Sequence, residues 1–190
     1  MSVKNTNTTA DYLEFDSTLN KSMRLLRNDT KKYKIAFLTI LGINFGLRIS
    51  DILSLKHKSL NKDSFTIIEK KTGKQRTIEI NENVKQAYII YRKRLGLIND
   101  DDSLFLSQKG TIFSIRQVNR LLLSTYGNKS KNISSHSLRK TFGRRVWDND
   151  NNSDRALILL SKIFNHSTTQ TTRTYLGIQQ EEISNAYLNL

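Results

Sequence analysis

Cysteine and proline are both missing from the 190 residues of this chain. Without cysteine, the chain forms no disulfide and no thiolate–metal site. Without proline, no helix is interrupted by a residue that lacks a backbone N–H. No apolar run is long enough to span a bilayer, and the polar N-terminal stretch MSVKNTNTTADYLEFD lacks the apolar centre of a secretion signal. These absences predict a soluble, cytoplasmic protein that has no contact with a membrane.

Acidic residues are few beside basic ones: 17 Asp and Glu stand against 31 Lys and Arg, which gives a formal net charge of +14. Such an excess favours a polyanionic partner, most often nucleic acid. A ribosomal protein or a membrane-surface protein would share this balance, so charge alone does not choose among them. Hydrophobic residues make up 37% of the chain, which is enough for one domain with a core.

The order of polar and apolar residues predicts one folded domain behind a polar tail. Residues 1–14 form the predicted flexible N-terminal tail, and residues 15–190 form the predicted domain. Within it, the apolar stretch 35–45 predicts a buried helix that ends near Gly46. The next short helix, in SDILSLKH, is predicted to begin with Ser50 as its N-cap.

A single stretch of the sequence shows the pattern of β-strands. Residues 64–80 carry β-branched residues on both sides of KTGK, which predicts a β-hairpin with Gly73 in its turn. The remaining apolar patterns are helical and continue to a last amphipathic helix in QQEEISNAYLNL. The predicted class is therefore α+β, mostly helical, with a small antiparallel β-sheet.

Two basic positions stand where the fold could present them to an anion. Arg48 follows the buried helix directly, beside the free N–H groups of the next helix, although a surface arginine at a helix start is ordinary. Lys71 lies on the predicted hairpin and could carry an ammonium group into a phosphate site. Exposed turns often carry lysines for solubility alone, and Lys70 and Lys74 compete for the same role.

His136 and Arg139 are three residues apart, so they share one face of a helix. Ser134 or Ser135 is placed to cap that helix. An imidazole beside a guanidinium near a helix N-terminus suits a phosphoryl oxyanion. The spacing H-x-x-R is common by chance, and no second histidine or carboxylate has the spacing of a metal ligand, so no metal is predicted.

Tyr175 ends an unusual polar stretch, HSTTQTTRTY, which begins at His166. A lone tyrosine is most often a packed residue whose hydroxyl has a partner. This stretch has almost nothing to bury, which favours a tyrosine that presents its hydroxyl to a ligand.

In chain order these residues resemble the active-site set of the tyrosine recombinases, the lambda-integrase-like family. That pattern has an Arg after Gly-Leu, a Lys on a β-hairpin, H-x-x-R, a His or Trp, and a Tyr nine residues further on. The matching positions are Arg48 in GLRISD, Lys71 in KKTGK, His136 and Arg139 in HSLRKTFG, His166 in FNHS and Tyr175 in TRTYLGI. The resemblance covers the chain from about residue 15 to its C-terminus and implies the fold of that catalytic domain.

The sequence departs from the family pattern in places. Asp51 stands where Glu is common after the first Arg, and Asn165 precedes His166 where Gly is usual. Neither residue is a reacting group, so both changes are expected to be tolerated. Typical members also carry a helical core-binding domain ahead of the catalytic one, and nothing in this sequence corresponds to it.

The resemblance implies a covalent mechanism on DNA. Tyr175 would attack the scissile phosphorus, form a 3′-phosphotyrosyl link and release a 5′-hydroxyl. Lys71 would protonate the leaving 5′-oxygen, and His136 would help to move the tyrosine proton. The implied role is site-specific recombination, namely the integration, excision or inversion of a mobile element such as a phage.

The same resemblance implies which residues stabilise the charged transition state. Arg48 and Arg139 would hold the non-bridging oxygens of the phosphate, and His166 would donate a hydrogen bond to them. The arginines would take the place of a metal ion, and the phosphotyrosyl bond would conserve the energy for rejoining. The implied reaction therefore uses no metal, no ATP and no other cofactor.

The implied partner is double-stranded DNA, and members of the family recombine it as tetramers on paired sites. The segment 178–190 is a candidate for docking on a neighbouring subunit. The alternative, a helix that folds back on its own domain, is supported almost equally well. Further DNA contacts are predicted at Lys70, Lys74, Lys140, Arg144 and Arg173.

Two other functions compete with recombination. A type IB topoisomerase-like enzyme would share the nicking and rejoining chemistry and work as a monomer. A DNA-binding accessory protein without activity would bind DNA and form no covalent adduct. The presence of all six active-site positions argues against the second of these alternatives.

Overall fold

The computed structural model describes residues 9–128 and 130–189, so residues 1–8 of the predicted tail lie outside the described residues. The described chain is mostly helical with one two-stranded antiparallel sheet, which confirms the predicted class. A single 3₁₀ turn lies between the third helix and the sheet. The elements are α1 (Phe15–Asn28), α2 (Tyr33–Phe45), α3 (Ile49–Ile52), β1 (Ser64–Ile68), β2 (Gln75–Glu79), α4 (Glu82–Leu95), α5 (Ile115–Tyr126), α6 (Ser135–Asn149), α7 (Asp154–Phe164), α8 (Thr169–Leu176) and α9 (Ile178–Leu188).

Helix α2 lies at the centre of the main core. Nearly every residue from Ile35 to Phe45 is buried, because α1, α4 and α6 pack against it from different sides. The helix ends at Gly46, whose φ of +59° is a left-handed conformation that favours glycine. A Cβ atom at that position would overlap the ring of Phe142, so the close approach of α6 also requires glycine. The predicted buried helix and its end are confirmed.

The sheet is the predicted hairpin. β1 and β2 pair antiparallel, and Phe65 and Ile78 are opposite each other, with both side chains buried against the core. Gly73 lies in the connecting turn with a φ of +67°. The outer face is exposed and carries mostly polar residues, with Ile68 as an exception, so the sheet packs on one side only.

Helix α6 lies between two separate apolar cores. Its Leu138 belongs to the main core, whereas Phe142, Val146 and Trp147 pack against a smaller one. The smaller core is built from Leu157, Leu160, Phe164, Leu176 and Ile178. The segment that carries Tyr175 is therefore fixed by the smaller core, and α6 joins the two.

The ordered chain begins earlier than predicted. Leu13 is buried and its backbone N–H donates to the Thr141 hydroxyl at 2.8 Å, while the ring of Tyr12 lies under the Arg144 guanidinium. The Asp11 backbone also bonds to Asn132. The predicted tail was thus too long at its C-terminal end, because Tyr12 and Leu13 pack against α6 and Asp11 bonds to the segment before it.

The last helix exposes its apolar residues. Ile183, Ala186 and Tyr187, the predicted apolar face, are all exposed, and Tyr187 has 76% of its surface accessible. Leu190, the last member of that predicted face, lies outside the described residues. α9 is anchored mainly at its start, where Ile178 is fully buried.

Candidate active site

The turn between α2 and α3 positions Arg48. The left-handed residue Gly46 ends α2, and Arg48 becomes the residue that flanks the short helix Ile49–Ile52. The predicted N-cap was Ser50, but this residue lies inside the helix and its hydroxyl bonds to Asp51. The guanidinium of Arg48 is half-buried and reaches across to the hairpin and to α7.

The hairpin turn is attached to α3 through a buried carboxylate. Asp51 is fully buried, and its Oδ1 accepts the backbone N–H of Lys70 at 3.0 Å. This bond fixes the turn that carries Lys71, whose own side chain is exposed toward the cleft. An aspartate is long enough for this contact, which accounts for the departure from glutamate at this position.

The start of α6 places His136 and Arg139 on one side of a cleft. Ser134 caps the helix, since its hydroxyl accepts the His136 N–H and its own N–H is bonded by Ser137. Of the two serines predicted as caps, the structure selects the first. The cleft has a volume of about 190 Å³ and is lined by Leu47, Arg48, Ile49, Ser50, Lys71, Ser135, His136 and Arg139.

Both arginines are fixed by the same carbonyl group. The Phe164 carbonyl oxygen accepts from Nη2 of Arg139 at 3.1 Å and from Nη2 of Arg48 at 3.3 Å. Arg139 also donates from Nη1 to the Gly46 carbonyl, and its guanidinium lies 4.3 Å from the centre of the Phe164 ring. These contacts preorganise two cations without consuming all of their five N–H donors.

A buried carboxylate that the sequence analysis missed completes this network. Glu69 is only 4% exposed, and its Oε2 lies 2.7 Å from Nη1 of Arg48, while Arg76 approaches its other oxygen at 3.6 Å. Burial alone would raise the pKa of Glu69, but hydrogen bonds from Thr72 and Arg48 and the nearby positive charges hold that pKa below its usual value. Glu69 is therefore ionised and orients Arg48.

His166 follows a residue in the left-handed conformation. Asn165 ends α7 with a φ of +55°, and asparagine is the residue that best replaces glycine there, which accounts for the second departure from the family pattern. The turn directs His166 toward α8, where its Nδ1 lies 3.0 Å from the Thr172 hydroxyl. Thr172 is fully buried and fixes the orientation of the imidazole ring.

Tyr175 lies between the two histidines. Its ring meets His166 edge-on with the ring centres 5.4 Å apart, and it meets Phe164 in the same way at 5.6 Å. Its hydroxyl donates to the backbone carbonyl of His136 at 3.5 Å. The structure thus brings the six predicted residues together, with four lining the cleft and with His166 and Tyr175 beside it.

Burial sets the protonation of these groups. It lowers the pKa of His136 and of His166 below the ordinary histidine value, and the neighbouring arginines lower both further. Burial also raises the pKa of Tyr175 to about 12, against the opposing effect of Arg139 and Arg48. The pKa of Arg139 falls to about 10, mainly through burial. At neutral pH the site holds neutral histidines, a protonated tyrosine and a charged arginine.

The lowered pKa values of the two histidines predict how the stability of the fold depends on pH. Because their pKa values are lowered in the folded state, the unfolded chain binds more protons, so stability is full above about pH 6.5 and falls as the pH drops below it. The free energy of unfolding, measured with urea from pH 7.5 to 5, should decline. A His136→Asn/His166→Asn variant should show a shallower decline, and an equal slope in both proteins would contradict the prediction.

Three of the predicted DNA contacts are placed differently from what the sequence suggested. Arg144 is buried and lies between the rings of Tyr12 and Trp147, so the prediction that it meets phosphates is wrong. Arg173 bridges Asp154 and Glu182, and both carboxylates already occupy its guanidinium. Its side chain is partly exposed, so its role as a DNA contact stays a prediction.

The three lysines predicted to contact DNA, Lys70, Lys74 and Lys140, differ in their exposure. Lys70 and Lys74 are exposed on the hairpin, and the Lys74 ammonium donates to the Asn165 side chain. Lys140 is instead buried, with 7% of its surface accessible, and its Nζ lies over the ring of Tyr175. A phosphate contact from Lys140 is therefore contradicted by its burial in the protein interior.

The described residues contain neither a cluster of metal ligands nor a membrane-spanning helix. Within residues 9–128 and 130–189, no cluster of three or more potential His, Asp or Glu ligands could hold a metal ion. In the same part of the chain, no helix has both the length and the apolar character that crossing a membrane requires.

The family model of the phage integrase family matches residues 15–182. The chain therefore belongs to the phage integrase family, the tyrosine recombinases, as its motifs predicted. Within the family it is 35% identical over 166 residues to the probable integrase/recombinase YoeC of Bacillus subtilis, and the match covers 86% of each chain. It is 30% identical over 178 residues to the tyrosine recombinase XerC of Caldanaerobacter subterraneus, covering 89% of this chain and 49% of XerC.

The fold is shared with solved recombinases. The crystal structure of XerA recombinase superposes with a TM-score of 0.68, at 22% identity, over 95% of this chain and 65% of XerA. The XerH recombinase bound to its palindromic difH substrate superposes at 0.61 and 22% identity, over 98% of this chain and 55% of XerH. The chain thus spans 55% to 65% of these structures and about half of relatives such as XerC and the XerS recombinase of Streptococcus agalactiae.

Proposed function

We propose that this chain is a site-specific DNA recombinase that cleaves and rejoins DNA through a 3′-phosphotyrosyl intermediate. The observation that carries the proposal is the convergence of Arg48, Lys71, His136 and Arg139 on one cleft, with Tyr175 hydrogen-bonded to the backbone of His136. Cations of fixed position beside a protonated tyrosine are what attack on a phosphodiester requires.

Nucleophilic attack is assigned to Tyr175. A phenol with a pKa near 12 is a poor nucleophile at neutral pH, so its proton must leave as the oxygen–phosphorus bond forms. The neutral imidazole of His136 is the base, since its pKa is lowered and its own backbone already contacts the hydroxyl. The new ester joins Tyr175 to the 3′ side of the break.

The departing strand leaves as a 5′-hydroxyl. Lys71 is assigned as the acid that protonates this oxygen, because it is the exposed ammonium of the hairpin that lines the cleft. Reversal of the same steps, with a 5′-hydroxyl from another strand, rejoins the DNA. The phosphotyrosyl bond conserves the energy of the original ester, so the cycle uses no ATP.

The two arginines stabilise the charge that develops on the phosphate. Their guanidinium groups stay protonated and are already oriented by Phe164 and Glu69, so little reorganisation is needed when the transition state forms. His166 is held by Thr172 and donates to the same oxygens. The two arginines supply the positive charge in this scheme, which therefore assigns no role to a metal ion.

Duplex DNA and a second copy of the chain are the proposed partners. The net charge of +14 and the exposed ammonium groups of Lys70 and Lys74 favour a phosphate backbone next to the cleft. The exposed apolar residues of α9 support self-association through segment 178–190. The solved XerH complex and a lambda integrase dimer on a core site are both bound to DNA.

The printed names of the relatives support a proposal for the biological role. YoeC is named a probable integrase/recombinase, and a structural neighbour is the integrase of the transposon Tn1549. We propose that this chain integrates, excises or inverts the DNA of a mobile element. The same chemistry in a type IB topoisomerase would relax supercoils without exchanging strands between two duplexes.

A suicide-substrate experiment tests the proposal. A pool of nicked duplexes with randomised inverted repeats is incubated with the protein, and covalent complexes are isolated under denaturing conditions and sequenced. We expect protein-linked DNA with a shared site, and exchange of strands between two differently labelled duplexes that carry it. Relaxation without exchange would favour the topoisomerase, and binding without any adduct would favour the accessory protein.

A second prediction concerns how the affinity for DNA depends on salt concentration. Each phosphate that a lysine or arginine neutralises releases counterions, so the logarithm of affinity should fall linearly with the logarithm of salt concentration. Replacing Lys74 with Gln should reduce the slope by about 1 if its ammonium meets one phosphate. Fluorescence anisotropy with a labelled duplex measures both slopes. Salt-independent binding would show that phosphate contacts do not dominate.

A further inference from the structure

Lys140 is the one buried lysine among the described residues. It is 93% buried, with 7% of its surface accessible, whereas lysines are almost never buried without a partner. Its Nζ lies over the face of the Tyr175 ring, 5.4 Å from the ring centre. The mechanism above gives this group no role, and its burial removes the predicted role in binding DNA.

The position of Lys140 separates it from the other cations of the site. It follows Arg139 on α6, so its side chain leaves the helix about 100° further round. Arg139 and Arg48 bond the carbonyl of Phe164 and line the cleft, while Lys140 faces the tyrosine ring. The charged groups around it are Asp11, from the segment that precedes α1, and Arg144 on its own helix. Its charge also reaches His136, whose pKa it helps to lower.

A bound phosphate would change which charges act on Tyr175. In the free protein, Arg139 and Arg48 are the charges that oppose the high pKa of Tyr175. A phosphate in the cleft carries negative charge that offsets both arginines. Lys140 lies over the ring face and does not line the cleft, so a phosphate bound there offsets its charge less directly. A cation over an aromatic face is attracted to the ring, and the attraction increases when the phenol becomes a phenolate, whose charge spreads into the ring.

We propose that Lys140 is a positioning residue, which orients the ring of Tyr175 and stabilises the negative charge on it during attack. The inference rests on the proposed function. The phenolic proton passes to His136, the tyrosine oxygen bonds to phosphorus, the bond to the 5′-oxygen breaks, and that oxygen takes a proton from Lys71. Lys140 keeps its own proton throughout and exchanges none.

The test compares Lys140→Met with Lys140→Arg. Methionine retains a flexible apolar stem without charge, and arginine retains the charge. With saturating nicked duplex, we expect Lys140→Met to slow the single-turnover formation of the covalent adduct by about 5- to 30-fold, the range of a partly desolvated cation–π contact. DNA affinity should change less than about twofold, and Lys140→Arg should recover most of the rate. Lys109→Met, which removes an exposed charge from a loop, is the control for net charge.

Two readouts separate this role from a merely structural one. The rate of Lys140→Met should approach that of the unchanged protein as pH rises, because the phenolate then forms with less assistance. A duplex with a 5′-bridging sulfur at the scissile position has a leaving group that needs no protonation. It should restore the rate of Lys71→Ala and leave the defect of Lys140→Met in place.

Several outcomes would overturn the inference. A normal adduct rate with weakened DNA binding would make Lys140 a DNA contact. An arginine variant as slow as the methionine variant, with both folded by circular dichroism, would show that charge is not what matters. Rescue of Lys140→Met by the sulfur substrate would move its role to the leaving group. If the unchanged protein forms no adduct, the proposed function itself fails, and this inference fails with it.

Discussion

Tyr175→Phe should form no covalent adduct with a nicked substrate that traps the unchanged protein. The variant lacks only the phenolic oxygen, which is the atom assigned to form the bond to phosphorus. Binding of the duplex should persist, because phosphate contacts come from lysine and arginine side chains. A denaturing gel measures the adduct, and fluorescence anisotropy measures the binding.

The fold should tolerate this change. The hydroxyl makes one long hydrogen bond, 3.5 Å to the His136 carbonyl, whereas the ring packs against Phe164 and His166. Phenylalanine keeps the ring contacts, so the loss in unfolding free energy should be below about 1 kcal/mol. Tyr187→Phe is the matched control, since Tyr187 is exposed on α9.

Peptide mapping of the trapped adduct identifies the tyrosine that carries the DNA. Digestion of the trapped adduct should give the nucleotide on the peptide that contains TYLGI. An adduct on any other of the seven tyrosines, or cleavage by Tyr175→Phe at the normal rate, would refute the assigned nucleophile.

Much of the fold could be predicted because its signals are local. The apolar stretch of α2, the left-handed glycine that ends it and the KTGK turn each depend on neighbouring residues in the chain. The serine cap of α6 is local as well, and it fixes the face that His136 and Arg139 share. The order and spacing of the six active-site positions then made the family recognisable without the structure.

The supporting groups of the site could not be predicted from such signals. Glu69 stands among exposed hairpin residues, and nothing in its neighbours shows that it meets Arg48 and Arg76 from other parts of the chain. The shared acceptor for both arginines is a main-chain carbonyl, that of Phe164, which every residue has. A sequence pattern contains no information about such a contact.

Basic residues on α6 were misjudged for a related reason. Lys140 and Arg144 look like surface charges in a sequence, but Tyr175 and Tyr12 cover them from distant segments. Tyr12 lies in residues predicted as tail, so the burial of Arg144 and the end of the tail were missed together. Both depend on packing between elements that are more than 30 residues apart.

Arg139→Ala and Arg48→Ala should each slow cleavage by about 10²- to 10³-fold, the usual effect of removing one donor that stabilises developing charge. Their effects on folding should differ. Arg139 is 5% exposed and donates to the carbonyls of Gly46 and Phe164, so its loss leaves buried acceptors with fewer donors and should cost about 1–3 kcal/mol. Thermal unfolding and single-turnover cleavage, measured together, give the two effects for each variant.

For Arg48, a double variant separates the two roles. Arg48→Ala removes the closer cation from the buried carboxylate of Glu69, which leaves Arg76 at 3.6 Å as its ion-pair partner. Part of the damage should therefore be an uncompensated buried charge. Adding Glu69→Gln should recover stability, because a neutral amide needs no cation, but it should not recover cleavage. If the double variant cleaves at the normal rate, Arg48 serves only to neutralise Glu69, and its assignment to the scissile phosphate is wrong.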